Sequence, residues 1–151
     1  MGRSRKPGDA AKLIGPDPHD VHEIVFAKRV DGTVPGQTFL NSCPETVRDR
    51  FRAIAIAVAA APPYRHSGGG YWEAMHGDMK GFHEVRIDGP KRTHYRFFCL
   101  VDSRAKGAKK PYLVIVDGRS KAFRTTISKS DYRAVRAIGK ECLLCNPRRL
   151  A

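Results

Sequence analysis

The side chains best suited to chemistry in this sequence are cationic, and most lie between residues 80 and 123. Arg86 sits in the run Phe82 to Ile87, His94 and Arg96 in the run His94 to Val101, and Arg119 and Lys121 follow the run Tyr112 to Val116. A guanidinium is a planar fork that grips phosphate through two parallel hydrogen bonds. An imidazole exchanges protons near neutral pH, and a lysine can do so when neighbouring cations lower its pKa. Together these groups suit RNA cleavage by attack of the 2′-hydroxyl on its own phosphate. The protein must take up that proton, stabilise the added charge on phosphate and protonate the leaving 5′-oxygen. No metal or cofactor is needed for that reaction, and none is expected. Arg86, Arg96, Lys121 and His94 are the catalytic candidates. Arg119, Lys80, Lys91 and Arg92 are candidate nucleic-acid contacts, with Phe123 able to stack a base.

Each candidate has an ordinary alternative. Arg86 could pair with Glu84 or Asp88, and Arg96 with Glu84. Lys121 could sit in a solvated turn, and His94 at a strand surface. His83, Tyr95 and Phe97 read as core or core-edge residues, and Trp72 as a packing anchor. Cys142 and Cys145 have zinc-knuckle spacing, but no second Cys/His pair accompanies them, so no metal centre is expected. Gly68-Gly69-Gly70 lacks the Lys and Ser/Thr of a phosphate-binding P-loop.

The composition agrees with an anionic partner. The chain has 151 residues and a formal net charge of +13. Residues 1–63 hold 9 Lys+Arg and 7 Asp+Glu, whereas residues 64–151 hold 19 and 8, so the excess lies in the C-terminal part. A concentrated positive field attracts polyanions, nucleic acid above all. Hydrophobic residues make up 41%, enough for a core. The longest apolar run, Ala53 to Ala61, is far short of a membrane span. The charged N-terminus has no apolar stretch behind it, and four cysteines do not suggest a disulfide scaffold, so a cytoplasmic protein with reduced thiols is expected.

The elements that must carry these residues follow from patterning. Residues 1–20 read as a mobile basic arm, His22 to Val30 as a strand, and 31–41 as a loop. A long helix starts near Ser42, where Ser42-Cys43-Pro44-Glu45 has capping-box spacing. Val47, Phe51, Ile54 and Val58 share one of its faces, and Pro62-Pro63 ends it. Tyr71 to Lys80 reads as a short helix or turn. Phe82 to Ile87, His94 to Val101 and Tyr112 to Val116 read as three strands in an antiparallel meander. A second helix fits 129–138, capped by Ser128 or Ser130 and stopped at Gly139, with Tyr132, Val135 and Ile138 inward. Residues 140–151 form a basic tail. The expected fold is α+β: an antiparallel sheet of about four strands packed against a long helix, with a C-terminal helix, over residues 21–139.

Register decides which polar groups share a face. Pairing Phe82–Asp88 with His94–Leu100 so that opposed numbers sum to 180 places Val85, Ile87, Tyr95 and Phe97 on one face. Glu84, Arg86, His94 and Arg96 then share the other, with Arg86 opposite His94 and Glu84 opposite Arg96. Arg119 and Lys121 could reach that face from the third strand. A slip by one residue would bury Arg96 beside Val85, at a cost of several kcal/mol, so the even register is favoured.

The stretch Trp72-Glu-Ala-Met-His-Gly-Asp-Met-Lys-Gly-Phe-His-Glu-Val-Arg86, then His94-Tyr-Arg-Phe-Phe98, then Leu113-Val-Ile-Val-Asp-Gly-Arg-Ser-Lys-Ala-Phe123, resembles the RelE/ParE/HigB toxin superfamily. The shared pattern is Glu-x-Arg, a Tyr-Arg strand, an apolar strand and a Lys-containing turn before a helix, over roughly residues 72–138. The resemblance implies a compact α+β toxin domain. Its members cleave messenger RNA on the ribosome, or in some cases inhibit DNA gyrase, and are neutralised by a cognate antitoxin, here expected to be acidic. It maps the family arginines to Arg86 and Arg96 and the final-turn lysine to Lys121. A family histidine near the domain end has no counterpart, and His94 or His83 are substitutes suggested by position. The family's helical hairpin at the N-terminus is also missing from the pattern. Three functions stay open: an endoribonuclease toxin acting on ribosome-bound mRNA, a gyrase-inhibiting toxin, and a nucleic-acid-binding domain without activity.

Overall fold

The computed structural model describes residues 21–60 and 66–151; the basic arm at 1–20 and the Pro62-Pro63 helix stop lie outside the described residues. Five strands and three helices follow one another as β1 (Glu23–Phe26), α1 (Pro35–Ser42), α2 (Glu45–Ala59), β2 (Trp72–Ala74), β3 (Phe82–Gly89), β4 (Thr93–Asp102), β5 (Tyr112–Ala122) and α3 (Lys129–Leu144). The strands form one sheet in the order β1-β5-β4-β3-β2. The expected antiparallel meander is there as β3, β4 and β5. The expected four-stranded antiparallel sheet is corrected to a five-stranded mixed one. β1 runs parallel to β5, Glu23 facing Tyr112 and Phe26 facing Ile115, which a crossover through the helices permits. β2 is the fifth strand, and three residues are too few to display alternation in a sequence.

Both faces of the sheet are covered over part of their area. On one face Val85, Ile87, Phe97, Cys99, Leu113 and Ile115 meet Val47, Phe51, Ile54 and Val58 of α2 and Leu40 of α1. Phe51 stacks on Phe97 with ring centroids 4.0 Å apart. On the other face Phe82, Phe98, Leu100, Val114 and Val116 meet Val135, Ile138 and Cys142 of α3. The α2 stripe read from the sequence is therefore the one that is buried. Among the described residues, no helix is long and apolar enough to cross a membrane.

Four local expectations need correction. The 31–41 loop contains α1, whose Pro35 occupies the first turn, where its missing N–H has no helical partner anyway. The Ser42 hydroxyl donates to the Phe39 carbonyl at 2.6 Å, closing α1, and α2 begins after Pro44 without a side-chain cap. The 71–80 segment holds β2 and a single 3₁₀ turn at Gly77–Met79. Gly139 does not stop α3, which runs on to Leu144. It lies where the helix crosses Phe82, and a Cβ there would stand 2.6 Å from the Phe82 ring. Ser128 is the cap, its hydroxyl accepting from the Asp131 amide at 3.1 Å.

Past α3 the chain returns to the sheet. Phe26 and Ala151 exchange two backbone hydrogen bonds, and the Lys28 amide donates to the Arg149 carbonyl at 3.0 Å. Arg148 meets Asp102, at the end of β4, at 2.8 Å, and both side chains are buried.

Candidate anion site on the open half of the sheet

α3 packs on its face of the sheet over Phe82, Phe98, Leu100, Val114 and Val116, and Arg86, Arg96 and Arg119 lie in the next row along β3, β4 and β5. β3 and β4 pair with residue numbers summing to 182, so Arg86 opposes Arg96, Val85 opposes Phe97 and Asp88 opposes His94. The even-parity face predicted from the sequence holds. The pairing slides by two residues from the expected one, correcting Arg86 opposite His94 and Glu84 opposite Arg96. The hairpin places Pro90 first in its connection, before Lys91 and Arg92, and a fixed proline φ suits that position. The centre of the turn moves accordingly to Lys91.

A bulge brings β5 into the same arrangement. Cys99 pairs with Ile115 but Phe98 pairs with Asp117, leaving Val116 as an extra residue. Strict alternation would send Asp117, Arg119 and Lys121 to the α2 side with Leu113 and Ile115. The extra residue reverses the parity, so Arg119 lies opposite Arg96 and Lys121 opposite His94. Three rows result across β3, β4 and β5: Glu84-Phe98-Asp117, Arg86-Arg96-Arg119 and Asp88-His94-Lys121.

The two outer arginines are committed to carboxylates. Arg86 Nε meets Glu84 Oε1 at 2.6 Å. Arg119 holds Asp117 at 2.7 Å and Asp131 of α3 at 3.0 Å. These contacts keep the Asp131 carboxyl below its ordinary pKa, first through the Arg119 hydrogen bond and then through Ser128. Arg96, in the middle, has no ion pair among the described residues. Its one hydrogen bond runs from Nη1 to the Tyr95 carbonyl at 3.4 Å. Partial burial pulls its pKa below the ordinary guanidinium value; the Glu84 charge opposes this, and the adjacent Arg86 adds to it. A partly desolvated cation without a counter-ion is an incomplete anion site.

Beside it, His94 Nδ1 contacts the Asp88 carboxylate across the hairpin. A carboxylate on Nδ1–H selects the tautomer whose Nε2 lone pair accepts a proton. The imidazole is also stacked on Phe123, with centroids 4.2 Å apart and planes at 19°, and the Arg92 guanidinium lies 5.7 Å from the Phe123 ring centre. Phe123, read as a core residue that could also stack a base, thus braces His94. Lys121 Nζ donates to the Thr125 carbonyl at 2.9 Å and is next to His94 across the strands.

Other candidates lie apart. Lys80 lines a groove between the β2–β3 connection and α3, with Arg133, Arg136 and Lys140, rather than the arginine row. Lys91 and Arg92 occupy the hairpin tip, both with positive φ. His83 stacks on Trp72 at 4.7 Å on the α2 side, and burial lowers its pKa. Burial likewise pushes Cys142 up to about 11. Among the described residues, no cluster of three or more His, Cys, Asp or Glu could hold a metal ion.

Sequence reasoning missed two contributors. Asp88 emerges as the partner of His94 only once the hairpin register is known. Tyr132 of α3, assigned to the core stripe, packs edge-on against Phe98 at 5.8 Å. Burial and then the Glu84 charge raise its pKa, while Arg96 and Arg86 act the other way.

Protein-family models, curated proteins and solved structures were all compared with the chain, and none matched. A functional reading therefore has to come from the chemistry of the site itself.

Proposed function

We propose that this protein is a toxin-like, metal-independent endoribonuclease that cuts messenger RNA on the ribosome. The observation that carries the reading is Arg96, a partly buried guanidinium without a counter-ion, next to a histidine whose Nδ1 is held by a carboxylate. In the reaction His94 Nε2 takes the proton of the substrate 2′-hydroxyl as its oxygen bonds to phosphorus. Arg96 meets the charge that accumulates on the phosphate oxygens, a contribution of ~3–4 kcal/mol for one well-placed donor. The bond from phosphorus to the 5′-oxygen breaks, and the Lys121 ammonium supplies the proton to that oxygen. The products are a 2′,3′-cyclic phosphate and a free 5′-hydroxyl. Arg86 and Arg119, neutralised by their carboxylates, flank Arg96 and leave it as the guanidinium of the row without a carboxylate partner among the described residues. An acidic partner protein as its inhibitor belongs to the same reading and is favoured by the +13 net charge.

The decisive experiment is controlled expression in growing cells with mapping of transcript 5′-ends. The reading expects growth arrest and cuts within translated codons, both lost in Arg96→Ala and His94→Ala. Intact transcripts alongside growth arrest would overturn it, and a supercoiling defect in those cells would favour gyrase inhibition. One observation favours a second reading, a binding domain without catalysis: Arg86, Arg119 and Lys121 are each already engaged by acceptors of the protein. That reading expects harmless expression with RNA binding retained.

A further inference from the structure

β2 begins at Trp72, opposite Val85, and the Arg86 amide still bonds the Tyr71 carbonyl, so the edge of β3 has no neighbouring strand beyond Arg86. A pocket of ≈ 430 Å³ opens there, the size of a small-ligand site. On the open face of the sheet it is lined by Arg86, Arg96, His94 and Asp88, the last engaged by His94, and its wall also includes Arg50. Arg50 belongs to α2, which packs on the other face, so this side chain approaches the pocket around the sheet edge. It is exposed and has no hydrogen bond or ion pair among the described residues.

The rest of the wall is held by hydrogen bonds. The Gly68 and Gly70 amides donate to the two oxygens of Glu73 at 3.1 and 2.9 Å, which fixes the loop. Gly69 lies flat against the Tyr71 ring, where a Cβ would come within 3.0 Å. Tyr71 in turn accepts from the Arg86 amide through its carbonyl at 2.9 Å. The pocket therefore combines Arg50 with Arg86 and Arg96 in one lining that also holds the Tyr71 ring and the Gly69–Gly70 backbone.

We infer that Arg50 binds the phosphate next to the one held by Arg96, so that the pocket takes a single-stranded segment with two consecutive phosphates wrapped around the edge of β3. The inference deepens the ribonuclease reading and rests on it for the identity of the polymer. A single strand bends around such an edge, whereas a stiff duplex does not. A lone arginine across from the site adds a phosphate contact that carries no base information.

The test uses the full chain and 2′-O-methyl oligonucleotides, which bind but cannot be cut. Affinities for a dinucleotide, with one internal phosphate, and a trinucleotide, with two, are measured by titration over a range of salt concentrations. Arg50→Ala is expected to weaken the trinucleotide on the order of fivefold, to lower its log–log salt slope by ~0.7, and to leave the dinucleotide unchanged. Arg50→Lys, which keeps the charge, retains the slope. Arg96→Ala weakens both ligands. Equal loss for both ligands in Arg50→Ala, no loss for either, or a wild-type protein that does not prefer the trinucleotide would each overturn the inference. Loss of the cleavage reading alone would appear differently, as uncut transcripts with this binding pattern intact.

Discussion

Among the individual side chains, Arg96 sets function against stability. Its neighbours on β3 and β5 each have a carboxylate, and it has none, so burial weakens rather than supports its charge. Arg96→Met is therefore expected to abolish RNA binding and cleavage while leaving the melting temperature unchanged or higher. A gain of about 1 kcal/mol would appear as roughly 2–4 °C in a chain of this size. Thermal melts beside a binding titration check it, and a variant that binds normally or melts well below wild type contradicts it. The guanidinium pair itself was legible from side-chain parity, because burying Arg96 beside Val85 would have been prohibitively expensive. The role of Asp88 was not, since it depends on a turn centred one residue later than expected. Nor was the contact of Tyr132 with Phe98, since helical spacing alone does not say which sheet residue an inward ring meets.

The secondary-structure elements follow strong periodicity in some places and contact geometry in others. α2 and the three meander strands were readable because their apolar positions repeat over many residues. α1 was not, because eight residues opening with Pro-Gly look like a loop until the helix is seen lying on the sheet. The full length of α3 was hidden by Gly139, a helix-stop signal that here serves close packing against Phe82. The bulge at Val116 left no trace in the alternation, yet it decides where Arg119 and Lys121 point. α1 depends on a similar close approach: Phe39 lies over Gly118, where a Cβ would come 2.0 Å from the ring. Gly118→Ala is expected to cost about 1–3 kcal/mol by forcing Phe39 aside. Denaturant unfolding measures it, and an unchanged midpoint would show that α1 shifts freely.

For the molecule as a whole, the C-terminal segment is tied to the sheet by backbone hydrogen bonds near Phe26 and by a buried ion pair. Arg148 and Asp102 side chains are only 5% and 4% exposed. The guanidinium also donates to the Leu143 and Cys145 carbonyls and the Asn146 side chain. Removing one partner strands the other, so Arg148→Ala is expected to lose about 3–5 kcal/mol. The pair Arg148→Met with Asp102→Leu should recover most of that loss, and unfolding curves of the three proteins distinguish this from a merely local effect. The pairing of β1 with β5 has a consequence for how the chain is made. The hairpin bearing Arg86 and Arg96 joins neighbours in sequence, whereas Glu23 must wait for Tyr112. During synthesis the early apolar segments therefore leave the ribosome long before the strand that shelters them. Over that interval those segments lack their partner strand, and closing so long a loop slows folding.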